Sequence, residues 1–179
     1  MPLSAPRLRI VSPAGTIPFG RGFYQLEEEI LYLPVEYPGE KPKFFSFIES
    51  ETVSIQCDNE GRLIFIELTL PRRHWIERAD ISFPDYAEPA DIRFLDFRQK
   101  MNNPMISCDR YRQNIHIEFS PLQSVSSFHL AKNLIAEVSA DNYLIGIWAT
   151  DFVDDIAGRE ISAWRKSIRA AKNQAVAVY

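Results

Sequence analysis

Cysteine, histidine and glycine are all scarce in this 179-residue chain, and each shortage closes off a class of function. The two cysteines, Cys57 and Cys108, are too few for a disulfide scaffold and have no CxxC spacing, which fits a reducing compartment. The three histidines, His74, His116 and His129, never fall within four residues of one another, so no local HxH or HExxH metal pair exists. Seven glycines provide no GxGxxG, P-loop or GxSxG, and Gly20-Arg21-Gly22 lacks the third glycine and the following helix. No apolar run approaches the roughly 20 residues of a membrane helix. Residues 1–15 lack the apolar core of a signal peptide. Basic excess is missing too: 20 Lys and Arg against 24 Asp and Glu leave a net charge of −4, which argues against broad phosphate binding. The chain is expected to be cytoplasmic, with no membrane association, no cofactor and no nucleic-acid partner.

What the chain does contain is a strand–turn–strand pattern that occurs twice. In residues 55–70, IQCDNEGRLIFIELTL, a polar Asp58-Asn59-Glu60-Gly61 turn precedes Leu63, Phe65 and Glu67 alternating with Ile64, Ile66 and Leu68. In residues 136–149, AEVSADNYLIGIWA, Ser139-Ala140-Asp141-Asn142 is the turn and residues 144–148 return. Gly61 and Asn142 fall at matching positions, and both residue types tolerate positive φ. At that same separation Leu63, Ile64, Ile66 and Thr69 match Leu144, Ile145, Ile147 and Thr150, and Ser46-Phe47 matches Ser127-Phe128. The spacing predicts an internal duplication.

Around these hairpins the chain divides readily. Residues 1–22, with four prolines and three glycines, read as an extended arm with an edge strand at 7–11. Leu8, Ile10, Ile17 and Phe19 predict that the arm lies against the body. Residues 23–35 end in a strand with Leu31, Leu33 and Val35 on one face, 36–43 form a loop, and 44–48 resume strand. Residues 71–103 fit neither helical nor strand period, although RRHWIERADI suggests a helical turn or two and IRFLDF at 92–97 a short strand. Trp75, Ile76, Ile81, Phe83, Phe94, Leu95 and Phe97 make this a packed connector, too apolar for a disordered linker. Ile115, Ile117 and Phe119 alternate with His116, Glu118 and Ser120, and residues 126–138 read as a further strand. In residues 154–175, Ile161, Trp164, Ile168 and Ala171 follow at helical steps behind Asp154 or Asp155 as N-cap. The expected fold is α+β: mainly antiparallel sheet from two similar hairpin units, with a C-terminal amphipathic helix. The divisions are a first unit with its arm at 1–75, a connector at 76–104, and a second unit plus helix at 105–179, in one compact body.

The unit made by YQLEEEILYL and CDNEGRLIFIEL resembles a short bacterial family, domain of unknown function 2283. That family runs from a tyrosine through acidic residues and a Leu-Tyr strand to an acidic turn, Gly-Arg-Leu and a Gly-Ile-Glu strand. Tyr24, Leu31, Tyr32, Asp58, Gly61, Arg62, Leu63, Ile66 and Glu67 match it, while Phe65 replaces its glycine. In the second copy Gly146 and Ile147 restore the glycine and isoleucine, but Cys108 replaces the tyrosine and Trp148 the glutamate. The resemblance implies a small β-rich fold, doubled here, and brings no activity or catalytic residues with it.

Candidate chemistry is sparse. His116 beside Glu118 on a polar strand face is the best acid–base pair, though such faces are ordinarily solvated. Asp151, Asp154 and Asp155 bring three carboxylates together without the spacing of a calcium loop. Cys108 beside Arg110 has a neighbour that favours thiolate. Cys57 reads as a small buried apolar residue. The C-terminal helix reverses the local sign of charge with Arg159, Arg165, Lys166, Arg169 and Lys172, a pattern that also complements a helix dipole. Phe44-Phe45 beside a loop looks like an interface anchor, because one of two consecutive strand aromatics must face away from the core. Trp75 and Trp148 are aromatic enough to line a pocket, and equally suited to a core.

These features predict a non-catalytic interaction or self-association module, as a homodimer or with a protein partner. Phe44, Phe45, Trp75, Trp148, Arg165 and Arg169 are its candidate binding residues. The alternatives are a small-molecule ligand in an aromatic pocket between the two units, and an enzyme using Cys108 or His116.

Overall fold

Leu31, Leu33 and Val35 alternate with Tyr32, Pro34 and Glu36, and that period of two sends the first set into the interior of the molecule. The computed structural model describes residues 5–12 and 15–176, with side chains through Arg169. In chain order the first half holds β1 (Leu8–Val11), β2 (Phe19–Gly20), β3 (Gly22–Gln25), β4 (Ile30–Glu36), β5 (Ser46–Glu49), β6 (Val53–Cys57) and β7 (Leu63–Leu68). A 3₁₀ turn at Arg72–His74 leads to β8 (Ile76–Glu77), β9 (Glu88–Pro89), β10 (Asp91–Phe94) and β11 (Gln99–Lys100). The second half holds β12 (Met105–Cys108), β13 (Ile115–Glu118), β14 (Ser126–Ala131), β15 (Leu134–Val138), β16 (Leu144–Ala149), β17 (Phe152–Asp155) and α1 (Arg159–Val176). The fold is α+β, mostly antiparallel sheet with one C-terminal helix.

The strands form two sheets and a ribbon. The first sheet is ordered β11-β5-β6-β7-β4-β3-β17, with β2 also on β4, and the second β8-β12-β13-β16-β15-β14-β9. Strands β1 and β10 pair with each other, Leu8 opposite Phe94. One hydrophobic core takes residues from both sheets and from the ribbon, among them Leu33, Ile55 and Ile66, Ile117, Ala136 and Ile147, and Leu8 and Phe94. The sheets therefore pack face to face.

Two edges are exchanged. After β7 the chain crosses to the second sheet, where β8 runs parallel to β12. After β16 it crosses back, and β17 runs parallel to β3 in the first sheet. Each sheet is completed by a strand that continues from the other.

Beyond β17 the chain goes on to cover the outer face of the first sheet. Helix α1 lies on the first sheet, where Ile161 and Trp164 meet Phe23 and Tyr32. On the second sheet, β8 and β9 sit at opposite edges and run in the same direction. Residues 78–87 connect these two edges. The outer row of this sheet is Ser107, His116, Trp148, Ile135 and His129, of which Ser107 and Ile135 are buried.

Two local expectations need correction. Residues 126–138 are two strands, because Lys132-Asn133 turns the chain into a hairpin with a bulge between His129 and Ala131. The helix starts at Arg159, and Asp154 and Asp155 belong to β17. Asp155 still caps the helix from that strand, its carboxylate accepting the N–H groups of Glu160 (3.2 Å) and Ile161 (3.0 Å).

Glu67 is half-buried on the outer face of β7, opposite Tyr32. Burial and the nearby Glu28 raise its pKa, and Arg165 offsets this only in part. A carboxyl whose folded pKa is raised supports the fold while protonated and loses that support as pH rises through the folded value. Glu67→Gln is thus expected to raise the melting midpoint at neutral pH, with the gain vanishing below the usual carboxylate range. Melting curves at pH 7 and pH 3.5 check this; a destabilised variant at pH 7 would refute it.

Candidate functional site

Phe44 and Phe45 lead into β5, and the N–H of Phe45 donates to the Cys57 carbonyl at 3.1 Å, which places consecutive rings on opposite sides of the strand. Phe44 meets the Phe65 ring edge-on at 5.8 Å, and Phe65 meets Trp164 of α1 at 5.1 Å. Phe45 turns outward onto Phe97, ring centroids 5.1 Å apart.

Phe97 is held there by its own segment. Leu95 N–H donates to the Arg7 carbonyl, Asp96 is buried and accepts from the backbone N–H and Nε of Arg7 at 2.7 and 3.0 Å, and Arg98 N–H donates to Ser46 Oγ at 3.0 Å. With Asp96 pointing inward, Leu95 and Phe97 point outward. Phe45 and Phe97, 50% and 53% exposed, form an apolar ledge, and Leu95, 52% exposed, precedes Phe97 by two residues on the same segment. The Arg98 guanidinium lies over the Phe97 ring at 5.0 Å. Beside the ledge, Phe44, Phe45, Ser46, Phe47, Gln56 and Arg98 line an open recess of about 300 Å³.

The other expected binding residues lie elsewhere. Trp75 is buried, donates Nε1–H to the Leu70 carbonyl at 3.0 Å, and meets Tyr24 and Phe152 edge-on; it is a core residue. Trp148 stacks on His116 at 4.3 Å on the outer row of the second sheet. Arg165 donates to both carboxylate oxygens of Glu28 at 2.7 and 2.9 Å, and Arg169 is exposed farther along α1. Leu95, Phe97 and Arg98 were absent from the expected set; the signal available for Leu95 and Phe97 was apolar residues in a segment with no clear period.

The histidine–carboxylate pair exists with a different partner. His116 Nε2 lies 2.8 Å from Glu137, reaching across β16, and not against Glu118. Gly146 makes this crossing possible, since a Cβ there would stand 2.5 Å from His116 Nε2. Burial opposes ionisation of Glu137, but the hydrogen bond with His116 and the nearby Trp148 indole together outweigh it and lower the pKa. Both side chains are largely buried, a setting that suits a structural bond more than turnover.

Cys108 is fully buried, and burial raises its thiol pKa despite Arg112; Cys57 is buried and raised for the same reason. Neither has the exposed thiolate of a nucleophile. Of the three aspartates, Asp154 pairs with Arg72, Asp155 caps α1, and Asp151 is exposed. Among the described residues no three His, Cys, Asp or Glu side chains gather as metal ligands, and no helix is long and apolar enough to cross a membrane.

Two clefts meet at Tyr37 and Arg62. One, about 380 Å³, lies under α1 with Phe19 and Trp164 in its wall. The other, about 260 Å³, lies where Leu63 of the first sheet faces His129 and Leu130 of the second. Arg62 is neutralised by Asp58 at 2.8 Å and Glu40 at 2.6 Å, so neither cleft offers it as a free cation. The sequence matches no protein-family model and no curated protein, and the site is therefore read from its geometry alone.

Proposed function

We propose that the protein is a non-catalytic interaction module that binds a protein partner, or a second copy of itself, through the Phe45–Phe97 ledge. The observation that carries this reading is the half-exposed Phe45–Phe97 ring pair, with the half-exposed Leu95 two residues before Phe97 on the same segment. Rings held by backbone hydrogen bonds have little conformational freedom left to lose on binding, as interface anchors require. The buried thiols and the largely buried histidine weigh against the enzyme reading.

The architecture of the module is in our reading a doubled unit of the kind the sequence resemblance suggests. Strands β3 to β7 are ordered β5-β6-β7-β4-β3 and strands β12 to β16 are ordered β14-β15-β16-β13-β12, which supports it.

A Phe45→Ser/Phe97→Ser double variant is expected to keep its stability within about 1 kcal/mol, because both rings are already half in water. Light scattering with and without cell extract should show a dimer or defined complex for the parent chain and its loss for the variant. Identical masses for the two proteins in both conditions would overturn the reading.

A further inference from the structure

Resting on that reading, we propose that the recess beside the ledge recognises a peptide segment carrying an apolar side chain next to a carboxylate. The recess is small. About 300 Å³ is at the lower bound for ligand pockets and suits one phenyl- or leucine-sized group. It is lined by Phe44, Phe45 and Phe47 and, on its polar side, by Ser46, Gln56 and Arg98.

Arg98 sets the charge of the occupant. Among the described residues no carboxylate forms an ion pair with its guanidinium, although this is an acidic chain in which most arginines are paired. The carboxylates nearest along the two strands are already engaged: Asp96 by Arg7, and Glu49 by Lys100. Arg98 is the only charged residue lining the recess, and the exposed Lys43 just before Phe44 adds positive charge on the same segment. The Arg98 guanidinium, over the Phe97 ring at 5.0 Å, has N–H donors to offer a carboxylate at the rim. Gln56 donates one amide hydrogen to Ser54 Oγ at 2.8 Å, which orients its carbonyl. An apolar ring in the recess with a carboxylate at its rim satisfies both halves of the site. A cationic segment would meet unpaired like charge.

The experiment is a titration of the full chain with 3-phenylpropionate and with 3-phenylpropionamide, monitored by NMR of the Phe47 and Gln56 amides and the Arg98 Nε–H. The acid is expected to bind in the millimolar range and about tenfold more tightly than the amide, as one charge-assisted bond allows. Arg98→Gln should bring the acid to the level of the amide, and added salt should narrow the gap in the parent chain. Equal binding of acid and amide would overturn the carboxylate inference while leaving the apolar ledge intact. An acid preference that survives Arg98→Gln would also overturn it. Failure of both probes to shift any recess signal would overturn the recess proposal, while the ledge reading stands or falls by the light-scattering comparison.

Discussion

Gly61→Ala is expected to destabilise the protein by about 2–5 kcal/mol, out of proportion to one added methyl group. Two costs combine. Gly61 sits at φ +80°, where a side chain costs about 1–2 kcal/mol. Its Cβ would stand 2.4 Å from the Phe94 carbonyl oxygen and 3.1 Å from the Phe94 nitrogen. Those atoms are backbone of the ribbon strand β10, tied to Gly61 by a 2.7 Å hydrogen bond from Phe94 N–H to the Gly61 carbonyl, so neither can swing aside. Overpacking of this kind adds about 1–3 kcal/mol. Gly39→Ala is the control, because Gly39 has φ +73° but open space around its Cβ position. Denaturant midpoints should show Gly61→Ala costing clearly more than Gly39→Ala. Equal losses would mean that the contact with β10 contributes nothing.

Severing the chain between Asp85 and Tyr86, two exposed residues, should leave a protein that holds together, while neither fragment folds alone. The fragment ending at Asp85 keeps β3 to β7 but loses β17 and α1, exposing Phe23 and Tyr32 on one face and Leu33, Ile55 and Ile66 on the other. The remaining fragment loses β8 and the inner face that covers Ile117, Ala136 and Ile147. With one core shared between the sheets, each piece forfeits about the whole 5–15 kcal/mol that stabilises a typical domain. Circular dichroism on the separate and mixed fragments is the measurement. A cooperative melt from either fragment alone would show two cores rather than one.

Much of this architecture was legible where local chemistry sets it. The first hairpin turn is closed by Asp58, whose carboxylate accepts the N–H groups of Glu60 and Arg62 and the Nε–H of Arg62. The second is closed by Ser139 and by Asn142 at φ +61°. Residue type announces such turns. The Lys132-Asn133 turn carries no such signal, because neither residue adopts positive φ and a bulge makes the reversal instead.

The site was legible only in part. Two consecutive phenylalanines in a strand must face opposite ways, so an outward Phe45 could be read from sequence. Its contact with Phe97 depends on β11 pairing with β5, a two-residue strand that no periodicity marks. The Ser46-Phe47 match to Ser127-Phe128 also misleads by one rung. Ser46 pairs with Cys57, whereas Val138, which corresponds to Cys57 in the hairpin alignment, pairs with Ser126. His116 found Glu137 rather than Glu118 because neighbours across a sheet are set by strand order.

The exchanged edges also set an order in time. A ribosome delivers β3 to β7 early, yet their sheet gains its last strand, β17, and its covering helix only when the C-terminal residues emerge. Until then β3 presents an open edge and Phe23 and Tyr32 an uncovered apolar face, the conditions under which nascent chains aggregate. The second sheet has no such delay, since β8 is made before the strand it joins. Synthesis therefore leaves the earlier half waiting on the later one, and β17 with α1, residues 152–176, decides when the first sheet is completed and covered.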